Sequence, residues 1–244
     1  MSDFIFEVKK KKEFSMLPDS LVEKALELNE KDTKKTRAFL RKYFGVFLTN
    51  KVLKLEDEKI LGSHISSKGR DYEFFYKKIL GNEKFNSIFD VGCGVNGFSY
   101  SFLKKELENV NYVGVEAVGQ ITEKTNLFFK KNNFNAKTLC MDIFDLTKIE
   151  KVFSYLESPK VIFLLQVIDA LEGFEKNFSK KLLVFLKERI SEKDLIVISM
   201  PMKSISGRNK FEARRNWLRY FLEENFSTEE SFVANERIFK CRKK

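Results

Sequence analysis

The chain of 244 residues is 43% hydrophobic, enough to bury the core of a globular domain with an appendage. Lys and Arg number 45 against 35 Asp and Glu, and the net charge of +10 favours a polyanionic partner, nucleic acid more than a membrane surface. No apolar run is long enough to span a bilayer, and the first residues do not resemble a signal sequence. The cysteines fit neither a disulfide framework nor a zinc site. We therefore expect a cytoplasmic protein without a membrane span or a metal.

Residues 1–62 are predicted to form a helical domain. A first helix is indicated by apolar residues at helical spacing, namely Leu17, Leu21, Ala25 and Leu28. A second helix is predicted to follow Asp32, and its apolar face carries Phe39, Leu40, Tyr43, Phe44 and Phe47. The other face of this helix is basic, with Lys34, Lys35, Arg37 and Arg41. Because cations grouped on one face suit a row of phosphates, this domain is predicted to bind RNA.

Beyond residue 62 the pattern changes to alternating strands and helices. After a connection at Gly62–Gly69 and a helix at Asp71–Leu80, five strands are predicted at Ser87–Val91, Tyr112–Val115, Thr138–Met141, Val161–Leu165 and Leu195–Ser199. Helices are predicted between them at Phe98–Leu107, Ile121–Lys131, Ile149–Leu156 and Leu171–Ile190. Two last strand-like runs, Glu230–Ala234 and Arg237–Cys241, meet at Asn235 and predict an antiparallel hairpin. The fold class is therefore α/β, with a doubly wound, Rossmann-like sheet of seven strands in residues 63–244, as is usual in methyltransferases, preceded by the helical domain.

A glycine-rich loop follows the first predicted strand. The segment Gly92-Cys93-Gly94-Val95-Asn96-Gly97 matches the G-x-G-x-x-G pattern of dinucleotide-binding loops, which alone is weak evidence. Asp90 ends the strand just before this loop, and a carboxylate there would repel the pyrophosphate of a dinucleotide. The same carboxylate attracts a cationic amino-acid sulfonium. The motif therefore favours S-adenosylmethionine over a nicotinamide cofactor, with Asp90, Gly92 and Gly94 in contact with it.

Two more carboxylates stand at the ends of the next two predicted strands. Glu116 closes the second strand, where an acidic side chain can accept hydrogen bonds from both ribose hydroxyls. Asp142 follows the third strand, where it can accept from the adenine amino group. Acidic residues are common in such loops, but three at successive strand ends indicate one cofactor site.

The segment after the fourth predicted strand bears on the methyl acceptor. Leu164-Leu165-Gln166-Val167-Ile168-Asp169 lacks the (Asp/Asn)-Pro-Pro-aromatic tetrapeptide that enzymes methylating exocyclic amines usually carry. It also lacks the Pro-Cys nucleophile used for pyrimidine carbon methylation. The acceptor is therefore expected to be already nucleophilic, such as a ring nitrogen, and Gln166 is the candidate for positioning it.

Three segments resemble one known family. His64-Ile65-Ser66-Ser67-Lys68-Gly69-Arg70 is similar to a His-x-Ser-Thr-x-Glu-Arg linker, and Val161–Glu172 to a fourth strand with a Leu-Leu-Glu ending. Residues 199–208 resemble a Ser-x-Pro-Thr-(Lys/Arg)-Ser-Leu-Gly-Gly-Arg loop. These motifs belong to the Arm group of aminoglycoside-resistance 16S rRNA methyltransferases, which act on guanine N7 in the decoding site.

The resemblance implies a cofactor site and an RNA partner. It adds His64, Ser66, Ile143, Leu165 and Arg70 to the contacts of S-adenosylmethionine, with Arg70 holding the methionine carboxylate. It implies that the substrate is 16S rRNA within the small ribosomal subunit. Basic residues in the loop that is predicted at Lys203–Arg219, after the fifth strand, are further candidates for RNA contacts, namely Lys203, Arg208, Lys210 and Arg214.

Several alternatives stay open from the sequence. The protein could methylate a small molecule, or bind RNA and keep cofactor affinity without catalysis. Adenine N1 competes with guanine N7 as the ring-nitrogen acceptor, and the role could be antibiotic resistance or housekeeping. Arg70 could instead pair with its neighbours Asp71 or Glu73.

Overall fold

The central element is one seven-stranded mixed sheet. The computed structural model describes residues 1–45, 47, 49, 52, 54–64, 67–202, 215–233 and 235–244. The strands are β1 Ser87–Val91, β2 Asn111–Glu116, β3 Ala136–Cys140, β4 Lys160–Leu165, β5 Leu195–Pro201, β6 Phe226–Val233 and β7 Glu236–Lys243. Their order is β3-β2-β1-β4-β5-β7-β6, with β1 to β5 parallel and β7 antiparallel to both β5 and β6. The predicted doubly wound fold with a terminal hairpin is confirmed.

Helices cover both faces of this sheet. In chain order they are α1 Ser2–Lys9, α2 Asp19–Leu28, α3 Thr33–Phe44, α4 Lys59–Ser63, α5 Tyr72–Leu80, α6 Tyr100–Glu106, α7 Gly119–Lys131, α8 Leu146–Phe153, α9 Ile168–Phe174, α10 Phe178–Arg189 and α11 Asn216–Asn225. None of these described helices is both long and apolar enough to cross a membrane.

Alternating strand residues feed two hydrophobic clusters. Ile88 and Phe163 point into the first cluster, whereas Phe89 and Ile162 point into the second, because successive side chains of a strand face opposite sides. The first cluster takes in α1 to α7 and Phe174 of α9, and the second takes in α8 to α11. The ligand-binding edge of such a sheet is where strand order reverses, here at the carboxyl ends of β1 and β4.

The N-terminal helices share the first cluster with the sheet. Leu21 and Leu40 are buried beside residues of the central strands. Phe39, Tyr43 and Phe44 of α3 contact the ring of Phe174 in α9, at centroid distances of 4.8, 5.0 and 5.7 Å. The boundary after residue 62 stays a prediction, and the described N-terminal helices lie packed on the sheet domain.

The prediction of one long helix at Leu171–Ile190 is wrong, because this part of the chain forms two helices, α9 and α10. Asn177 adopts a left-handed conformation with φ of 66°, which Asn tolerates better than most residues. The Glu172 carboxylate accepts hydrogen bonds from the backbone N–H of Asn177 at 2.8 Å and of Ser179 at 3.0 Å, and so caps the new helix.

Three other local expectations also differ from the structure. Leu28, assigned to the apolar face of the first helix, is 51% exposed because α2 ends there. The helix α1 had no predicted counterpart. The loop expected up to Arg219 already gives way to α11 at Asn216, where Leu218 and Leu222 supply a buried stripe.

Candidate functional site

The glycine loop between β1 and α6 brings backbone close to three other segments. Gly92 and Gly94 have positive φ values of 69° and 49°, which favour glycine. A Cβ on Gly92 would lie 2.5 Å from Cγ2 of Val167, and one on Gly94 would lie 2.7 Å from Cε1 of Phe47. Side chains are therefore excluded at both positions by conformation and by space.

Asp90 at the end of β1 is the most unusual acidic residue of the site. It is 1% exposed, and its Oδ2 accepts hydrogen bonds from Asn96 Nδ2 and from the Tyr112 hydroxyl, both at 2.7 Å. Its Oδ1 is buried and has no hydrogen-bond partner among the described residues. Burial raises the pKa of Asp90 to about 6, so the carboxyl is still mostly ionised at neutral pH. A buried, unpartnered carboxylate oxygen is costly unless a ligand supplies the missing donor.

Glu116 at the end of β2 ties the glycine loop to the next strand. Its Oε2 accepts from the backbone N–H of Gly94 and its Oε1 from that of Val118, both at 2.9 Å. The side chain is buried, and burial raises its pKa. Each carboxylate oxygen keeps a second lone pair with which it can accept from a ligand hydroxyl.

Asp142 follows β3 and meets a helix from the N-terminal region. Its Oδ1 accepts from the backbone N–H of Phe144 at 3.0 Å, and its Oδ2 accepts from the Ser20 hydroxyl of α2 at 2.7 Å. Ile143 is buried, and its Cδ1 would lie 3.5 Å from a Cβ on Gly92, so it lines the same loop. Three carboxylates thus stand at the carboxyl ends of the adjacent strands β1, β2 and β3.

Leu165 and Gln166 lie at the carboxyl end of β4, on the same edge of the sheet. Leu165 is partly buried against the first hydrophobic cluster. Gln166 has a positive φ of 56°, and its backbone N–H donates to the Ser199 carbonyl at 2.9 Å. A non-glycine residue in this conformation is uncommon and is often found at functional sites.

Arg70 makes an ion pair that sequence neighbours did not indicate. Its Nε and Nη2 donate to Oε1 of Glu236 at 2.8 and 2.5 Å, and the side chains of the pair are 6% and 5% exposed. The two neighbouring acids considered as partners are engaged elsewhere, because Asp71 caps α5 and Glu73 pairs with Lys105.

The only histidine of the sequence lies beside the glycine loop. His64 is 2% exposed and stacks on the ring of Phe47, with 4.4 Å between centroids and 16° between planes. Burial lowers its pKa to about 4, so the imidazole is neutral at pH 7. Ser66, expected beside it, lies outside the described residues.

Some of the candidate RNA-contact side chains are exposed, whereas others are bonded to residues of the protein itself. Lys34 and Lys35 are exposed, although Lys35 approaches Glu30 to 3.6 Å. Arg37 donates to the backbone carbonyl of Glu7 and is partly buried, and Arg41 pairs with Glu13 at 2.5 Å. The four candidates of the later loop lie outside the described residues, namely Lys203, Arg208, Lys210 and Arg214.

Three residues that touch the predicted site are not evident as site residues from the sequence. Ser20 and Glu236 reach it across 122 and 166 positions of the chain, and Phe47 was assigned only to a helix face. The predicted C-terminal hairpin is the one sequence feature that could have indicated Glu236, because the hairpin brings this residue back beside β5.

The residues present fit S-adenosylmethionine. Oδ1 of Asp90, which no described residue hydrogen-bonds, suits the cofactor's ammonium group, and the bare backbone at Gly92 and Gly94 permits close approach. Within the described part of the chain, no group of three or more His, Cys, Asp or Glu side chains could hold a metal ion.

Comparison with solved structures finds whole-chain similarity. The 16S rRNA methylase RmtB superposes with a TM-score of 0.73 at 17% identity, over 100% of this chain and 98% of that one. An rRNA methylase from Escherichia coli gives 0.76 at 16% identity, over 100% and 99%. The 16S rRNA methyltransferase RmtF, solved with S-adenosyl-L-homocysteine, gives 0.74 at 15% identity, over 100% and 98%. No protein-family model and no curated protein matches the sequence. The structural resemblance to 16S rRNA methylases is therefore confirmed, and at these identities it establishes the fold.

Proposed function

We propose that the protein is an S-adenosylmethionine-dependent methyltransferase that modifies a ring nitrogen, guanine N7, of 16S rRNA in the assembled small ribosomal subunit. The observation that carries the proposal is the buried Asp90 carboxylate beside the glycine loop, one oxygen of which accepts from no donor in the part of the chain that the structure describes. The whole-chain similarity to 16S rRNA methylases supports the choice of substrate.

Each carboxylate has a distinct part of the cofactor to bind. Asp90 would accept from the ammonium group, Glu116 from the ribose hydroxyls and Asp142 from the adenine amino group, while Arg70 would pair with the methionine carboxylate. Ile143 and Val167 lie beside the glycine loop and supply apolar contact. When bound, the cofactor supplies an electrophilic methyl group on sulfur.

The chemistry fits a site without a general base. Guanine N7 has an in-plane lone pair and no proton to lose, so transfer needs only alignment of the nitrogen, the methyl carbon and the sulfur. His64 is neutral at pH 7 but buried against Phe47. Catalysis would come from orientation and from extruding the base out of its helix, with Gln166 positioned at the rim.

The RNA surface would lie on α3, away from the sheet. Lys34 and Lys35 are exposed, while the aromatic face of the same helix packs on Phe174. Phosphate contacts from this surface would be independent of base sequence, so specificity would depend on the folded shape of the subunit.

The test is methyl transfer from tritiated cofactor to purified small subunits. Label is expected in 16S rRNA with assembled subunits, and much less of it with Asp90→Asn protein at a cofactor concentration below saturation. Borohydride and aniline should cut the RNA at the labelled site, because N7-methylguanine gives strand scission. Labelled RNA that resists cleavage would point to adenine N1. Cofactor binding without any transfer to subunits would overturn the rRNA substrate and leave the small-molecule or non-catalytic alternatives.

A further inference from the structure

The terminal hairpin places one carboxylate at the cofactor edge of the sheet. Glu236 is the first residue of β7 and stands opposite Pro201, the last residue of β5. Because β7 runs antiparallel to β5, its beginning lies at the carboxyl ends of the parallel strands. This is the edge that carries Asp90 and Glu116.

Glu236 holds the guanidinium of Arg70 by a single edge. Both hydrogen bonds, from Nε at 2.8 Å and from Nη2 at 2.5 Å, go to Oε1 of Glu236. The ring of Phe75 lies 4.4 Å from the guanidinium carbon and that of Tyr72 lies 5.3 Å from it. A guanidinium has five N–H donors in a planar fork, and no hydrogen bond from Nη1 is found within the described ranges of the chain, so this side can donate to a second acceptor.

The same pair lies within electrostatic reach of Asp90. Burial raises the pKa of Asp90 to about 6, and the positive charge of Arg70 is one of the contributions that oppose the rise. Oε2 of Glu236, like Oδ1 of Asp90, is buried and has no hydrogen-bond partner among the described residues. The positive charge of Arg70 therefore lies near the negative charges of Asp90 and Glu236. This arrangement is complementary to a ligand with two positive groups, an ammonium and a sulfonium, and one negative group, a carboxylate.

We propose that Glu236 is a positioning residue for the cofactor. By accepting from Nε and Nη2 of Arg70, it orients the guanidinium so that the Nη1 side binds the methionine carboxylate. The inference rests on the proposed cofactor. Without this contact the Arg70 side chain would have to be ordered at the moment of binding, at a cost in entropy. A buried ion pair can also be a purely structural tie between β7 and α5, and the choice of ligand separates the two roles.

The experiment compares two ligands by calorimetry, S-adenosylmethionine and its decarboxylated form, S-adenosylmethioninamine. Glu236→Gln and Arg70→Met should each weaken S-adenosylmethionine about tenfold to a hundredfold, the range for hydrogen bonds to charged groups. Binding of the decarboxylated ligand should stay within about twofold of wild type in both variants, because its carboxylate is missing. Glu83→Gln is the matched control, since it breaks another ion pair of β7, that between Arg242 and Glu83, and should change neither affinity.

Equal weakening of both ligands by Glu236→Gln, or no change in either, would overturn the positioning role. If Glu236→Gln does not fold, Glu236→Asp keeps the charge on a shorter arm and should show the same selective loss; unchanged binding there would equally overturn the proposal. Failure of wild-type protein to bind either ligand would instead contradict the proposed function.

Discussion

Asp90 is a residue whose ionisation opposes folding. Its pKa is raised from 3.8 to about 6 by burial, a shift that corresponds to roughly 3 kcal/mol against the ionised folded state above that pH. Because the folded-state pKa is the higher one, this contribution favours folding most below about pH 4 and is lost as the pH rises through about 6. The hydrogen bonds from Asn96 and Tyr112 and the positive charge of Arg70 compensate this buried charge only in part, and a cationic ligand can supply more.

Replacing Asp90 with Asn should therefore separate stability from binding. The amide oxygen can still accept from Asn96 and Tyr112, and the buried charge is gone. We expect the ligand-free variant to melt at the same or a higher temperature than wild type, and to bind S-adenosylmethionine at least about tenfold more weakly. Thermal melting and calorimetry measure the two effects. Asp145→Asn, at the exposed cap of α8, is the control and should change neither; a destabilised Asp90→Asn protein with normal affinity would contradict the assignment.

Cofactor affinity should also depend on pH through the same group. Protonation of Asp90 removes its attraction for the ammonium group, so the dissociation constant should be constant above about pH 7 and rise below about pH 6, approaching tenfold per unit. Calorimetric titrations between about pH 5 and 8 check this. The Asp90→Asn variant should show a flat profile, and a flat wild-type profile would mean that Asp90 does not bind the cation.

The sequence placed some of the site residues and could not place others. Asp90 and Glu116 end strands whose apolar runs are visible in the sequence, so their common edge follows from the alternation of strands and helices. Ser20 and Glu236 reach that edge from 122 and 166 positions away, and nothing in their local sequence distinguishes them from polar residues that lie on the surface. Contacts of that kind depend on how elements pack, which residue patterns do not encode.

At the scale of elements, α3 presents two different faces. Its aromatic side packs on Phe174, and its N-terminus is capped by Asp32, whose carboxylate accepts from the backbone N–H of Lys34 and Lys35. Arg37 and Arg41 have partners in the preceding segment, so reversing their charge would disturb packing as well as the proposed RNA binding. Lys34 and Lys35 are therefore the better residues with which to test the proposed RNA surface.

Charge reversal of Lys34 and Lys35 to Glu should weaken binding to small subunits and flatten its salt dependence. For every phosphate that the protein no longer neutralises, the slope of log affinity against log salt should fall by about 0.7 to 0.9. Filter binding across a range of salt concentrations measures the slope, and cofactor affinity should not change. Lys130 and Lys131, exposed at the end of α7, give a control of equal charge change. Equal weakening in both double variants would show that net charge, not α3, governs the interaction.

The helix α2 should contribute to adenine recognition through Ser20. The Ser20 hydroxyl orients Asp142 at 2.7 Å, so Ser20→Ala should raise the dissociation constant of S-adenosylhomocysteine about threefold to tenfold. Ser20→Thr keeps the hydroxyl and should restore binding. S-inosylhomocysteine lacks the amino group that Asp142 would accept from, so its affinity should be the same in all three proteins. A Ser20→Ala protein with wild-type affinity for both ligands would remove Ser20 from the site.

The elements themselves were largely predictable because their signals are local. Asp71 caps α5 where the pattern starts a helix, and β1 matches its predicted bounds. The break between α9 and α10 was not predicted, because apolar residues continue at helical spacing on both sides of it. Asn177 and the capping carboxylate of Glu172 break the helix by hydrogen bonding, which periodicity does not register.

At the scale of the whole molecule, the shared first cluster predicts one unfolding unit. Phe14 and Leu21 from the N-terminal region are buried in the same cluster as Phe75 and Ile88. We expect urea unfolding followed by far-ultraviolet circular dichroism to coincide with that followed by fluorescence of Trp217, the only tryptophan, which packs against the second cluster. An earlier loss of helix at unchanged Trp217 fluorescence would show that the N-terminal helices unfold alone.

The stacking of His64 on Phe47 gives the molecule a built-in spectroscopic reporter. With one histidine in the sequence, a carbon-bound imidazole proton gives a single, unambiguous resonance in a nuclear magnetic resonance spectrum. The ring current of Phe47, whose plane lies 16° from that of the imidazole, shifts this resonance away from its usual position. Because the pKa of His64 is about 4, the line holds still across the neutral range, and any movement on adding ligand reports the glycine loop and the aromatic contact beside it.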